Sequence, residues 1–217
     1  MTEVTSPGAS RSGLFVTLEG GDGVGKTTQA RLLEEWLAGQ GRTVVRTREP
    51  GGTEVGVLIR DIVLHHRGDV APRAEALLYA ADRAHHIETV VRPAIARGEV
   101  VIQDRYLDSS VAYQGTGRGL GADEVERLSL WAAEGLLPHV TVLLDLDPAV
   151  GLSRLTGDPD RLESAGAEFH RRTREAFLAR ADADPARWLV LDASQPADDV
   201  AAQVRERLAP LLAGGAA

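Results

Sequence analysis

Residues 20–27 have the spacing of a phosphate-binding loop, G-x-x-x-x-G-K-T. Glycines let consecutive backbone N–H groups turn towards one anion, and the positive end of a following helix points to the same place. Lys26 would reach the β- and γ-phosphates, and the Thr27 hydroxyl would hold Mg²⁺. The loop therefore predicts a site for a nucleoside triphosphate with Mg²⁺. Its predicted nucleotide-binding residues are Gly20, Gly21, Asp22, Gly23, Val24, Gly25, Lys26, Thr27 and Thr28.

Lys26 is the only lysine in the chain, because 23 of its 24 lysines and arginines are arginines. A lysine persists where a compact charge on a flexible stem is needed and a planar guanidinium would not fit. The alternative is a glycine-rich surface turn that carries the motif by accident. The context argues against it, because an apolar run (14–18) precedes the loop and helical spacing (29–37) follows it.

Two more polar motifs follow predicted strands. Asp104 comes shortly after the apolar residues 100–102, where a carboxylate could hold Mg²⁺ directly or through water. The alternative for Asp104 is a simple turn residue. The sequence Arg-Glu-Pro-Gly at 48–51 ends another predicted strand, 43–47. Because ligands collect at the carboxyl ends of parallel strands, we expect these motifs and the phosphate loop to share one site.

The elements that must position these motifs alternate between strand and helix. This alternation predicts an α/β fold in which a five-stranded parallel sheet has helices on both faces. Further strands are predicted at 140–146 and 188–191, and helices at 55–66, 73–97, 123–134, 148–155, 168–181 and 198–212. Pro93 is expected to kink the long helix. We expect residues 1–12 to be a disordered tail and residues 13–213 to form one domain, with a short mobile lid at about 157–166.

Composition limits the partners and the compartment. The net charge of −8 and the pI near 5.3 argue against a nucleic-acid duplex or an anionic membrane as the main partner. The chain has no cysteine, no apolar run of membrane-spanning length and no signal-peptide pattern at its start. These features predict a cytoplasmic protein without disulfides or thiolate metal sites.

Taken together, four blocks resemble bacterial thymidylate (dTMP) kinases, which are phosphate-loop nucleoside monophosphate kinases. The blocks span nearly the whole chain, and the second and third are highly specific for that family. They lie at residues 19–28 (EGGDGVGKTT), 47–52 (TREPGG), 104–115 (DRYLDSSVAYQG) and 160–170 (DRLE, then EFH).

The resemblance implies transfer of the γ-phosphoryl group of ATP to the 5′-phosphate of dTMP, with Mg²⁺. Arg60 and Arg105 would grip the acceptor phosphate, a task suited to the bidentate geometry of guanidinium. Asp22 would accept a hydrogen bond from the sugar 3′-OH. The implied catalytic residues are Lys26, Arg105, Arg161 and Asp22, and the implied metal ligands are Thr27 and Asp104. A homodimer is also implied, through the helices at 73–97 and 123–134.

For the base, the resemblance implies that Tyr79 stacks on the pyrimidine and that Arg83 donates to thymine O4, which disfavours cytosine. Tyr113 would pack under the deoxyribose where a 2′-OH would clash. Without the resemblance, plain core packing is an equal explanation for the two tyrosines, and a solvated helix face is the default for arginines such as Arg83. The full implied substrate set is Asp22, Glu49, Pro50, Arg60, Tyr79, Arg83, Arg105, Ser110, Tyr113 and Gln114.

The chain departs from part of the family at the phosphate loop. Gly23 stands where the eukaryotic type has an arginine, so the catalytic cation is expected from the lid. Arg161 is the first candidate and Arg154 the second, although the lid is short and carries Thr-Gly-Asp at 156–158 where many relatives are more basic.

Three other functions fit the sequence less well than dTMP phosphorylation. A kinase of another nucleoside monophosphate or of a deoxynucleoside fits less well with Arg83, Tyr113 and Gln114. A GTPase switch needs an N-K-x-D motif, which a chain without asparagine lacks. A partition ATPase would carry an extra lysine in its phosphate loop.

Overall fold

Five strands form one parallel sheet in a computed structural model that describes residues 12–213. The sheet order is β2-β3-β1-β4-β5, and each pairing is parallel. The first strand therefore lies at the centre of the sheet, and the fold predicted from the alternation of elements is confirmed. The strands are β1 (Leu14–Glu19), β2 (Val44–Arg48), β3 (Val100–Asp104), β4 (Val140–Asp145) and β5 (Trp188–Asp192).

The central strand is buried on both faces, as its unbroken apolar run requires. Val16 and Leu18 pack into a core cluster with Leu33 and Leu37 on one face. Phe15 packs on the opposite face, in a cluster with Ile87. This two-sided burial creates the three layers.

Most of the helices that cover the sheet overlap the predicted segments. The helices are α1 (Lys26–Gly39), α2 (Glu54–Arg60), α3 (Pro72–His86), α4 (Arg92–Ala96), α5 (Leu107–Ser110), α6 (Ala122–Ala132), α7 (Pro148–Ser153), α8 (Ala167–Ala183) and α9 (Ala197–Ala213). However, α5 was not predicted, and the predicted helix 55–66 becomes α2 followed by a π-helical segment, Asp61–His65. The predicted long helix 73–97 is interrupted by a π-helical segment, Ile87–Val91, directly before α4. Pro93 lies in the first turn of α4, directly after the π-helical segment that interrupts the α-helical hydrogen bonding.

The region after β3 differs from the prediction. The glycines at 115, 117, 119 and 121 are typical of a loop, but the first two belong to a π-helical segment, Val111–Gly117, that follows α5. Gly117 is required there for packing, because an added Cβ would lie 2.6 Å from the Phe169 ring. Glycine content alone therefore gave the wrong structure for residues 115–117, whereas Gly119 and Gly121 do adopt positive φ angles in a turn.

The lid segment (residues 157–166) connects α7 to α8 and includes a short 3₁₀ turn, Glu163–Ala165. The Arg161 amide donates to the carbonyl oxygen of Leu64 at 3.2 Å, which attaches the lid to the segment after α2. Apart from Ser12, the predicted disordered tail lies outside the described residues. Within residues 12–213, no helix has the length and apolarity needed to cross a membrane.

Candidate active site

The phosphate loop connects β1 to α1 at the carboxyl edge of the sheet. Gly20, Gly23 and Gly25 all have positive φ angles, at 131°, 71° and 100°. The Lys26 ammonium is buried and donates to the carbonyl oxygens of Gly20 (3.2 Å) and Gly21 (2.5 Å). Burial, and then the positive charge of Arg105, lowers the pKa of Lys26. The loop thus places one compact cation beside the N-terminus of α1.

Gly23 has no room for a side chain. An added Cβ would lie 2.0 Å from the carbonyl oxygen of Gly151 in α7. The close contact is reciprocal, because a Cβ on Gly151 would lie 2.4 Å from the carbonyl oxygen of Asp22. An arginine at position 23 is therefore excluded by packing, which agrees with the expectation that the catalytic cation comes from elsewhere.

Asp104 lies at the end of β3, in register with Leu18 of the neighbouring β1. This register brings the carboxylate to the start of the phosphate loop. Its Oδ1 atom is buried and has no hydrogen-bond partner within residues 12–213, whereas Thr27 is solvent-exposed. An unpaired buried carboxylate oxygen whose charge acts on Lys26 of the phosphate loop suits a hard cation that keeps some of its waters.

Arg105 joins the end of β3 to the phosphate loop. Its guanidinium donates to the Gly20 carbonyl at 2.9 Å, to Ser109 Oγ at 3.2 Å and to a carboxylate oxygen of Asp22. It also lies over the Tyr113 ring, 5.0 Å from the centroid. Burial raises the pKa of Asp22, but the charges of Arg105 and Lys26 outweigh it, so the pKa lies below its ordinary value.

A cavity opens beside this ion pair. The structure brings together at this cavity all ten residues that the resemblance implied for substrate binding. They are Asp22, Glu49, Pro50, Arg60, Tyr79, Arg83, Arg105, Ser110, Tyr113 and Gln114.

Arg83 is 1% exposed, so the alternative of a solvated helix face does not apply to it. Its guanidinium donates to Glu49 Oε2 at 2.9 Å, to Ser110 Oγ at 3.1 Å and to Ser129 Oγ at 3.2 Å. Glu49 in turn contacts His86 Nδ1 at 3.0 Å. These bonds use three of the five guanidinium N–H groups, which leaves donors for a ligand in the cavity.

The other cavity residues divide between aromatic packing and polar contacts. Tyr113 packs edge-on against Phe169 and Phe177, with centroid distances of 5.9 and 6.1 Å. Tyr79 belongs to a small apolar cluster with Ile59. At the phosphate-loop end, Arg60 donates to the Pro50 carbonyl at 3.0 Å. Core packing thus explains part of the burial of both tyrosine rings. Each ring also lines the cavity.

The two arginines proposed as the catalytic cation, Arg161 and Arg154, have different surroundings. The guanidinium of Arg161 donates to the Val63 carbonyl at 3.0 Å and to a carboxylate oxygen of the buried Glu75. Arg154 instead lines a groove beside Gly25 and Thr28, next to residues 193–197. Its side chain forms no ion pair with any residue in the described range 12–213. Of the two candidate cations, Arg154 is therefore the one that lies next to the phosphate loop.

Some residues at the site were missed by the sequence analysis. Glu19 is fully buried and accepts hydrogen bonds from the amide of Tyr106 (2.8 Å) and the hydroxyl of Ser109 (2.6 Å). Burial, and then the charge of Asp108, raises the pKa of Glu19 to about 7. Glu19 directly precedes the first glycine of the phosphate loop in the sequence, and this position could have identified it as a site residue. Residues 193–197, which complete the groove near Arg154, gave no such signal.

The comparisons with known proteins agree with this geometry. The family model described as thymidylate kinase matches residues 18–204. A thymidylate kinase of Leifsonia xyli subsp. xyli is 68% identical over 202 residues, which cover 92% of this chain and 96% of that protein. A thymidylate kinase of Deinococcus radiodurans is 52% identical over 194 residues, which cover 88% and 94%.

A solved structure extends the comparison to the fold. The crystal structure of thymidylate kinase from Ehrlichia chaffeensis is 30% identical and has a TM-score of 0.75. The match covers 91% of this chain and 99% of that one. By sequence and by fold, the chain belongs to the thymidylate kinase family.

Proposed function

We propose that this protein transfers the γ-phosphoryl group of ATP to the 5′-phosphate of dTMP, giving ADP and dTDP for dTTP synthesis. The observation that carries the proposal is the position of Arg105, which contacts the phosphate loop and lines the neighbouring cavity. One residue thus lies between two anion sites, as phosphoryl transfer between nucleotides requires. Membership of the thymidylate kinase family supports the same activity.

The chemistry needs positioning and charge neutralisation rather than a strong base. The acceptor phosphate is already anionic near neutral pH, so its oxygen attacks the γ-phosphorus while the bond to the β,γ-bridging oxygen breaks. Lys26 and the loop N–H groups stabilise the donor phosphates, and Arg60 and Arg105 hold the acceptor phosphate in line. One carboxylate oxygen of Asp22 accepts from Arg105, and the other, which accepts from the Tyr113 hydroxyl at 3.4 Å, is the one proposed for the sugar 3′-OH.

Base recognition occupies the far part of the cavity. Tyr79 stacks on the pyrimidine, and Arg83 uses a remaining N–H group for thymine O4. Glu49 and Pro50 shape the wall opposite, and Ser110 and Gln114 complete the polar contacts. Tyr113 lies under the deoxyribose, where its ring leaves no room for a 2′-OH.

We propose Thr27 and Asp104 as the residues that hold Mg²⁺, the latter directly or through water. The unpaired Oδ1 atom of Asp104 supports this role. A bound Mg²⁺ neutralises charge on the transferring phosphates. Within residues 12–213 there is no cluster of three or more His, Cys or acidic side chains, so this site needs the nucleotide phosphates to complete it.

The transition-state cation is proposed to come from the lid. Arg161 has to leave Glu75 before it reaches a phosphate, whereas Arg154 already borders the groove next to the phosphate loop. Both therefore remain in the proposed site, Arg154 as an ATP-binding residue and Arg161 as the catalytic one. Kinetics of Arg154→Ala and Arg161→Ala separate the two roles.

We propose a homodimer formed through α3 and α6. Each helix carries a large exposed apolar side chain, Leu77 at 58% and Trp131 at 79% exposure. Exposed apolar groups of this size on neighbouring helices are typical of a subunit interface. Light scattering of the wild type and of Trp131→Glu tests the proposal. A monomeric wild type would contradict it.

Residues 13–213 are proposed to act as a single kinase domain in the cytoplasm, with residues 157–166 as the lid. The runner-up activity is phosphorylation of another nucleoside monophosphate. An ADP-release assay with dTMP, dUMP, dCMP and dGMP in parallel separates the two. We expect dTMP to give the highest kcat/KM, and a higher value for dGMP would overturn the proposal.

A further inference from the structure

Glu75 is a fully buried carboxylate one turn of α3 away from Tyr79. Its Oε1 atom accepts from Gln114 Nε2 at 2.9 Å and from Arg118 Nε at 3.2 Å. Its Oε2 atom accepts from Arg118 at 3.3 Å and from Arg161. Two guanidiniums therefore compensate the buried charge, and Gln114 is the third donor on the same carboxylate.

This contact determines which way the Gln114 amide faces. A carboxylate paired with two guanidiniums only accepts hydrogen bonds, so the amide nitrogen of Gln114 has to point at Glu75. Gln114 is 1% exposed and lines the cavity. Bulk water therefore does not replace Glu75 as the partner of its amide nitrogen, and the amide does not invert. With the nitrogen occupied, the carbonyl oxygen is the atom that remains for a ligand.

We propose that Glu75 is a positioning residue that orients the Gln114 amide so that its carbonyl oxygen selects pyrimidines carrying an N3–H group. This inference rests on the proposed function of the cavity and deepens it. Thymine presents an N3–H donor beside its O4 acceptor, whereas cytosine presents an N3 acceptor beside an amino donor. A fixed carbonyl at Gln114 and a guanidinium at Arg83 together match the first pattern and oppose the second.

The orientation does not depend on the lid. Arg118 belongs to the turn that follows the π-helical segment, and its guanidinium lies 5.0 Å from the centroid of the Phe169 ring. Arg161 belongs to the lid and leaves Glu75 if it moves to a phosphate. Arg118 would still compensate Glu75 in that state, so the Gln114 amide keeps its orientation while the nucleotides react.

The test is the substrate preference of Glu75→Gln, measured as kcat/KM for dTMP divided by kcat/KM for dCMP. A neutral amide at position 75 can donate as well as accept, so the Gln114 amide is free to invert. We expect the ratio to fall about tenfold or more. The ratio does not depend on the amount of folded enzyme, so loss of stability alone does not change it. An unchanged ratio would show that Glu75 has only a structural role.

Two comparison variants make the result specific. Arg118→Lys disturbs the same cluster but keeps a positive charge beside Glu75, so Glu75 stays bonded to Gln114 and we expect the wild-type ratio. In a Gln114→Met background, Glu75→Gln is expected to leave the ratio unchanged, because no amide remains to invert. A fall of equal size in that background would show that Glu75 does not act through Gln114.

A measurement on the wild type covers the case in which Glu75→Gln does not fold. N3-methyl-dTMP lacks the N3–H donor, so we expect its affinity in a direct binding titration to be at least tenfold below that of dTMP. Equal affinity would overturn the inference. Phosphorylation of dTMP by the wild type reports separately on the proposed function, so failure of one is distinguishable from failure of the other.

Discussion

Arg105 and Asp22 form an ion pair across the boundary between the phosphate loop and the acceptor cavity. Their side chains are 19% and 20% exposed, so the pair is shielded but reachable by a ligand. The backbone helps to aim the arginine, because Arg105 has a φ angle of 65° and Gln103 Nε2 donates to its carbonyl at 3.0 Å. The end of β3 is thereby attached to the loop that follows β1.

This pair predicts the effect of Arg105→Lys. A lysine keeps the charge but loses the forked donors that contact Gly20, Ser109 and Asp22 together. We expect KM for dTMP to rise about tenfold or more and kcat to fall, in steady-state kinetics. Arg97→Lys, at an exposed pair with Glu99, is the matched control and is expected to be silent. An unchanged KM for dTMP would remove Arg105 from acceptor binding.

Asp104→Asn tests the proposed Mg²⁺ site. The amide removes the anionic charge from an oxygen atom that has no protein partner within residues 12–213. The Mg²⁺ concentration for half-maximal activity is expected to rise about tenfold or more.

The matched control for Asp104 is the carboxylate at the end of β4, which pairs with the other side of β1. Both oxygen atoms of Asp145 accept from Arg174, at 2.7 and 2.8 Å. Asp145→Asn is therefore expected to change stability but not the Mg²⁺ requirement. If both variants shift the Mg²⁺ curve alike, Asp104 has no special link to the metal.

Arg154→Ala and Arg161→Ala are expected to change different kinetic constants. Arg154→Ala removes a side chain next to Gly25 and Thr28, so KM for ATP should rise. Arg161→Ala is predicted to lower kcat far more than it raises either KM, because its proposed interaction forms only in the transition state. Single-turnover rates check this difference. A wild-type kcat for Arg161→Ala would remove it from the catalytic role and leave only its contact with Glu75.

Gly23 and Gly39 provide a test of loop packing. Gly23→Ala forces a Cβ within 2.0 Å of the Gly151 carbonyl at a φ angle of 71°, so we expect a loss of more than about 2 kcal/mol in unfolding free energy. Gly39 lies in α1 with no atom within 4 Å of an added Cβ. Gly39→Ala is expected to change stability by less than about 1 kcal/mol, towards stabilisation. Equal effects in denaturant titrations would contradict the packing argument.

Glu19 makes stability depend on pH. Its pKa rises from 4.5 to about 7 on folding, so between these values the folded chain retains a proton that the unfolded chain has released. The unfolding free energy therefore decreases as the pH rises through this window, by about 3 kcal/mol from this group. Glu19→Gln lacks this pH-dependent contribution to the unfolding free energy. The wild-type value minus the variant value should fall between pH 4.5 and 7.5, and a constant difference would be inconsistent with a raised pKa.

Local patterns were sufficient to predict the sheet and the phosphate loop from the sequence. The phosphate loop is built from neighbouring residues, namely the run 14–18, the glycines and Lys26. Because they are adjacent in the chain, the sequence alone indicates that they lie together. The π-helical segments were not predictable in this way. Gly117 allows contact with Phe169, which is more than fifty residues away in the sequence.

The environment of Glu75 could not be predicted for the same reason. It looks like one more acidic residue on a helix, yet its partners Gln114, Arg118 and Arg161 are 39, 43 and 86 residues away. Arg83 was placed in the site only through the family resemblance, because helix periodicity does not distinguish a buried guanidinium from a solvated one. Side chains recruited from distant elements are the part of the site that only the fold reveals.

One cavity is proposed to admit a deoxypyrimidine monophosphate beside an ATP held by the loop at Lys26. Formation of dTDP by purified protein with Mg²⁺-ATP tests this directly, with Lys26→Ala as the negative control. We expect the wild type to convert dTMP with a higher kcat/KM than dCMP or dGMP, and the variant to be inactive. Absence of dTDP from the wild type, or a preference for dGMP, would contradict this proposal.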